Sequence, residues 1–146
     1  MLLQTTRFGE IEVDAEKVIS FPHPLPGLPK SNSYVILDIP GNPLFKWMQS
    51  CNQPEVALVI ADPSSFFSDY RVKITKEELA VLNIEDGDEC QVAVVLVVPE
   101  DPRKITANLL APLVFNYNKR RAVQIILNDS AYTTRHIIFP AAQEAV

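Results

Sequence analysis

Twelve prolines against four glycines set the terms on which this 146-residue chain can fold. A proline fixes φ and removes a ladder donor, so each one ends a strand, sits at an edge or shapes a turn. Between these breaks lie ten short runs of β-type residues, at 2–7, 10–13, 18–21, 34–39, 45–50, 56–61, 71–74, 91–98, 109–115 and 122–127. Such runs, recurring about every ten residues with turn signals between them, predict a mainly β fold: a single small antiparallel β-barrel-like domain. Gly9 is the natural hairpin point between the first two runs. Pro112 places the run 109–115 at an edge, or breaks it there.

One helix is expected. Thr75-Lys76-Glu77-Glu78 has the form of a capping box and precedes apolar Leu79, Val81 and Leu82, so the helix spans 76–82. A shorter turn is expected at Pro63, with Asp62 as its cap. The proline-rich stretch 21–29 carries Phe21, Leu25 and Leu28, which favour a packed loop over a flexible one. No repeat or linker divides the chain. One domain is read over 1–146, with 136–146 as a loose C-terminal tail.

Net charge is −5 and unevenly spread. Residues 1–102 carry 7 basic and 16 acidic side chains, a net −9, whereas 103–146 carry 6 and 2, a net +4. An acidic body is repelled by phosphate backbones, so no direct nucleic-acid binding is expected, and a basic protein partner is favoured. Cys51 and Cys90 stand far apart without a second pair, which suits a reducing compartment. The first residues lack the basic start and apolar stretch of a signal peptide, and the longest apolar run, 92–98, is far too short to span a bilayer. A cytoplasmic protein without membrane contact is expected.

Catalytic and cofactor chemistry is hard to build from these residues. His23, Cys51, Cys90 and His136 lie at no ligand spacing, so no metal is expected. The run Asn83-Ile84-Glu85-Asp86-Gly87-Asp88-Glu89 places glycine where a calcium loop needs an oxygen ligand, and reads as a solvated acidic turn. Four dispersed glycines supply no phosphate-cradling loop, and no Gly-x-Ser-x-Gly elbow is present. No cofactor is therefore expected. Asp62 and Asp69 flank Phe66-Phe67 and are conceivable as a carboxylate dyad, although capping and turn formation explain them as well. Lys119-Arg120-Arg121, between two apolar strands, reads as a hairpin tip. Phe45, Trp47 and Gln49 share one strand face, as core packing or as an interface anchor.

Several of these pieces together resemble the flagellar assembly factor FliW family. They are Thr6-Arg7-Phe8-Gly9-Glu10, Phe21-Pro22 with Leu25-Pro26-Gly27, and Phe45-x-Trp47-x-Gln49-Ser50. Further along come Asp62-Pro63 with Phe67 and Asp69-Tyr70, then Val98-Pro99-Glu100-Asp101-Pro102, Thr106-Ala107-Asn108-Leu109-x-Ala111-Pro112 and Arg135-His136. They follow family order across 5–136. Pro24 stands where glycine is usual, and Met48 where leucine is usual.

The resemblance implies a β-barrel-like binding protein without enzymatic activity. Proteins of this family bind CsrA, a small dimeric RNA-binding repressor of flagellin translation, and bind flagellin in competition with it. Free flagellin then occupies the factor and releases CsrA, which stops flagellin synthesis until export reverses the exchange. Glu10, Glu12, Asp62, Asp69 and Tyr70 are the candidate partner contacts, chosen on acidity and strand placement. The alternative is a small β-barrel hydrolase, or a ligand-binding module, with a site near Asp62 and Asp69. It requires a pocket on which both carboxylates converge.

Overall fold

A computed structural model describes residues 1–129 and 131–138 of the chain. Strands β1 (Leu2–Thr5) and β2 (Gly9–Glu12) form a hairpin of their own. Then follow β3 (Ile19–Ser20), β4 (Ser33–Ile39), β5 (Asn42–Ser50) and β6 (Ala57–Ala61). Helix α1 (Lys76–Leu82) precedes β7 (Cys90–Val97), β8 (Thr106–Ala107), β9 (Leu113–Asn116), β10 (Arg121–Gln124) and β11 (His136–Ile137).

Strand β7 closes the barrel. It pairs with β6 along one edge. On its other edge, residues from Cys90 to Ala93 pair with β9, and Leu96 and Val97 pair with β8. The second sheet runs β11-β8-β7-β6-β5-β4-β3-β10-β9, and the β7–β9 ladder joins seven of its strands into a ring. One junction departs from the antiparallel expectation, a single parallel bridge between Arg121 of β10 and Ser20 of β3.

Alternation along the strands sorts side chains into two layers. Met48, Ile60, Ala93, Leu113, Phe115 and Ala122 fill the inside, with Phe21 and Tyr34 completing an edge-to-face aromatic cluster. The opposite faces of β5, β6 and β7 are also covered: Phe45, Ala61, Val94 and Leu96 pack with Tyr70, Ile105, Leu109 and Ile138. That double burial explains why 92–96 is continuously apolar instead of alternating, whereas Val97 and Val98, at the end of the run, are exposed. Helix α1 seals a third region, with Leu82 against Val114, Val123 and Ile125.

The capping box forms as expected: Thr75 Oγ1 accepts from the Glu78 amide, and Glu78 accepts from the Thr75 amide. Asp62 caps a single 3-10 turn at Pro63–Ser65. The proline-rich loop is packed, with Phe21 and Leu25 buried. The Leu28 amide donates to the Leu25 carbonyl across Pro26-Gly27, and Gly27 sits at φ +82°, a turn geometry that proline and then glycine suit.

The run 109–115 is broken at Pro112, as expected, and its strand begins at Leu113. Two expectations need correction. The run 71–74 forms no strand; Val72 and Ile74 pack inward, but among the described residues nothing pairs with its backbone. The tail does not begin at 136, because β11 pairs with β8 and Ile138 is buried; residues 139–146 lie outside the described part. Strands β8 and β11, of two residues each, went unpredicted because two residues carry no periodicity.

Candidate functional site

The β1–β2 hairpin is an exposed acidic element. Its register pairs Leu3 with Ile11 and Gln4 with Glu10, so Leu3 turns inward and is buried while Gln4, Glu10 and Glu12 face out. Gln4 Nε2 donates to the Glu10 carboxylate. The Glu12 carboxylate lies 2.7 Å from the amino group of Met1.

This hairpin is fastened by residues far apart in sequence. The Arg7 guanidinium lies 4.4 Å from the Trp47 ring centroid, and Phe8 meets the same indole edge-on at 5.7 Å. The Thr6 amide donates to the Pro54 carbonyl, which also accepts from the side-chain amide of Gln49, itself fully buried. Ser50 Oγ in turn accepts from the Asn52 and Gln53 amides and shapes the turn that presents Pro54. Trp47 is thus neither simple core nor bare anchor: it is the seat of the hairpin. Two motifs separated by about forty residues, Thr6-Arg7-Phe8-Gly9 and Phe45-x-Trp47-x-Gln49-Ser50, meet at one place. The sequence carries no signal for the Arg7–Trp47 pairing, which depends on how the hairpin folds back.

The other candidates are placed differently. Asp62 Oδ1 accepts from the Ser64 amide and hydroxyl. It lines a cleft of about 310 Å³ at the barrel mouth with Lys46, Ser65, Gln91 and Tyr117, and Asp69 is not among the lining residues. Asp69 is exposed. The two carboxylates do not converge on that cleft, so the geometry required by the dyad alternative is not met there. Tyr70 is 8% exposed, its hydroxyl donates to the Leu109 carbonyl at 2.6 Å, and its ring meets Tyr132 edge-on. Burial, and secondarily Tyr132, pushes its phenol well above the usual value. Tyr70 belongs to the packing, which corrects its selection as a surface contact.

The basic tip at 119–121 is spent inside the molecule. Lys119 lies 3.0 Å from Asp88 and 3.2 Å from Glu85, Arg120 donates to the Glu16 carbonyl, and Arg121 Nε donates to the Val81 carbonyl at 2.7 Å. Asp88 is no solvated turn residue. Its side chain is 8% exposed and accepts from the Glu85 amide, Lys119 and the buried Asn116 amide. The Glu85 amide first, and then Lys119 and Asn116, hold its carboxyl below the usual range. Among the described residues, no group of three or more His, Cys, Asp or Glu could hold a metal ion, and no helix is long and apolar enough to cross a membrane.

A family model described as FliW protein matches residues 2–138. The chain belongs to the FliW family. It is 38% identical over 143 residues to the flagellar assembly factor FliW of Syntrophomonas wolfei, covering 98% of this chain and 92% of that protein. Against the FliW of Geobacter sulfurreducens the identity is 40% over 142 residues, covering 97% and 89%. The crystal structure of a flagellar assembly factor FliW superimposes with a TM-score of 0.87 at 31% identity, covering 96% of this chain and 98% of the other.

Many of the motif residues shared with FliW hold this fold together. Asp62-Pro63 and Asp101-Pro102 each cap a 3-10 turn, Leu25-Pro26-Gly27 makes a turn, and Asn108 Oδ1 accepts from the Ala111 amide. His136 packs edge-on against Phe67. These motif residues mark the scaffold.

Proposed function

We propose that this protein is a non-enzymatic cytoplasmic regulator of flagellum biogenesis, which binds and antagonises the translational regulator CsrA and binds flagellin in a chaperone-like partner switch. Membership of the FliW family over nearly the whole chain carries the reading. The charge distribution supports it, since a body with net −9 over residues 1–102 attracts a basic RNA-binding protein. Docked beside an RNA groove, such a body repels phosphates over a Debye length of roughly 8–10 Å. Linkage makes the effect mutual, so RNA on CsrA weakens this protein's binding by the same factor. Glu10 and Glu12 are the proposed contacts, with Asp62 and Asp69 secondary.

The experiment titrates labelled CsrA with this protein at two ionic strengths, with and without flagellin, and repeats the titration on flagellin leader RNA. Binding that weakens with salt, displacement by flagellin and lowered CsrA affinity for RNA are expected. Glu10→Lys with Glu12→Lys should weaken the antagonism more than Glu77→Lys with Asp86→Lys, a control pair of exposed carboxylates. Glu78 is unsuitable as a control, because it closes the capping box. Absence of CsrA binding, or indifference of the complex to flagellin, sinks the partner switch.

A further inference from the structure

Strand β2 spends only half of its backbone groups. Met1 and Val13 exchange two hydrogen bonds, from the Met1 amino group to the Val13 carbonyl and from the Val13 amide to the Met1 carbonyl. Bonded and non-bonded pairs alternate along an antiparallel ladder, so Leu3–Ile11 and Thr5–Gly9 are the next bonded pairs. Leu2–Glu12 and Gln4–Glu10 turn their amides and carbonyls outward. On β1 that side meets the barrel, where Thr6, next in the alternation, donates its amide to the Pro54 carbonyl. The outward side of β2 has no such partner. The hairpin is a two-stranded sheet, and among the described residues no hydrogen bond from outside it reaches the backbone of Glu10 or Glu12. Gly9, Glu10 and Glu12 are exposed. An extended, solvent-open edge of this kind is a template for another strand.

Charge selects what can pair there. Residues 8–16 hold Glu10, Glu12, Asp14 and Glu16 and no cation, and Lys17 follows the run. Arg7 lies over Trp47, and Arg120 donates to the Glu16 carbonyl. At the edge itself the Met1 amino group pairs with Glu12, whereas Glu10 meets only the neutral Gln4 amide. The edge keeps a negative excess. A second copy of this chain, added through its own β2, would set carboxylate against carboxylate and be repelled. A segment of opposite sign gains where that copy loses.

We propose that the outer edge of β2 takes up an extended basic segment of a partner protein as a third strand, bonded to the main-chain groups of Glu10 and Glu12. Lysine or arginine at every second position lies beside the two carboxylates, and apolar residues between them lie on the side of Leu3 and Ile11. Main-chain pairing supplies the attachment, and the carboxylates supply selectivity between basic and acidic segments. The inference deepens the proposed function and rests on its choice of Glu10 and Glu12 as contacts. It adds the form of the contact, a strand laid along the edge.

The probe is a capped heptapeptide alternating lysine and valine, titrated into the full chain and followed by amide chemical shifts and hydrogen exchange, with CsrA titrated in parallel. Exchange should slow at the Glu10 and Glu12 amides, while Gly9, Ile11 and Val13, already bonded within the hairpin, keep their rates. A peptide with glutamate for lysine should bind at least roughly tenfold more weakly. Of two N-methylated peptides, blocked at the lysine or at the valine amides, only one should bind that weakly, because only one set faces β2. Glu10→Gln should weaken the lysine peptide by about two- to fivefold, with unchanged exchange at Ile11 and Val13 showing an intact hairpin. The inference is overturned if millimolar lysine peptide slows neither amide, or if the glutamate peptide or both methylated peptides bind as well as the parent. Peptide binding of the expected form without CsrA binding would sink the partner switch and keep the edge. CsrA binding with neither amide slowed by the peptide would do the reverse.

Discussion

Tyr70→Phe separates a packing role from a contact role with one atom. The substitution keeps the ring and its edge-to-face contact with Tyr132, at 4.8 Å between centroids, and removes only the hydroxyl. That hydroxyl donates at 2.6 Å to the carbonyl of Leu109, a residue 1% exposed. Its loss leaves a buried acceptor unpaired, which costs about 1–3 kcal/mol. For a domain of this length each kcal/mol shifts the midpoint by roughly 2–4 °C, so Tm should fall by roughly 2–12 °C. The assay is thermal and urea unfolding by circular dichroism, beside CsrA titration of the folded variant. Affinity should be unchanged. Alkaline pH gives a second readout. Burial raises the folded phenol's pKa above its ordinary value of 10.0. The stabilisation is therefore complete below that value and is lost as pH rises through the higher folded one, so the wild-type advantage should shrink only in strong alkali. A Tm within about 1 °C of wild type, or lost CsrA affinity at full stability, would refute the assignment.

Two further outcomes follow from the hairpin and from the acidic turn. Arg7→Ala with Phe8→Ala removes the cation–π and edge contacts on Trp47, together about 1–2.5 kcal/mol of hairpin docking; amide exchange should quicken across Leu2–Thr5 and Gly9–Glu12 while the barrel strands stay protected, and equal quickening everywhere would contradict a locally docked hairpin. Asp88→Asn should destabilise the chain at neutral pH, and because the native carboxyl is held low, the difference from wild type should persist above about pH 4 and fade as pH falls through the folded value, measured by urea unfolding across pH 2–7.

Local chemistry determined much of this protein in advance. The capping box at Thr75, the Asp62-Pro63 turn, the packed loop at Phe21 and Leu25, and most strands follow from residue types within a few positions of one another, where propensity and spacing act directly. The motifs spread over 5–136 likewise identified the family, since they run along the chain in order. Contact between distant segments was decided only by the tertiary structure. Nothing near Arg7 announces Trp47, nothing near Asp88 announces Lys119, and Tyr70 looks the same in sequence whether its hydroxyl meets water or the Leu109 carbonyl. The run 71–74 has every local mark of a strand, yet a strand exists only when a second edge pairs with it, and here the barrel closed through β7 and β9 without it. Ladder partners, like burial, belong to pairs of segments, and a single stretch of sequence does not contain them.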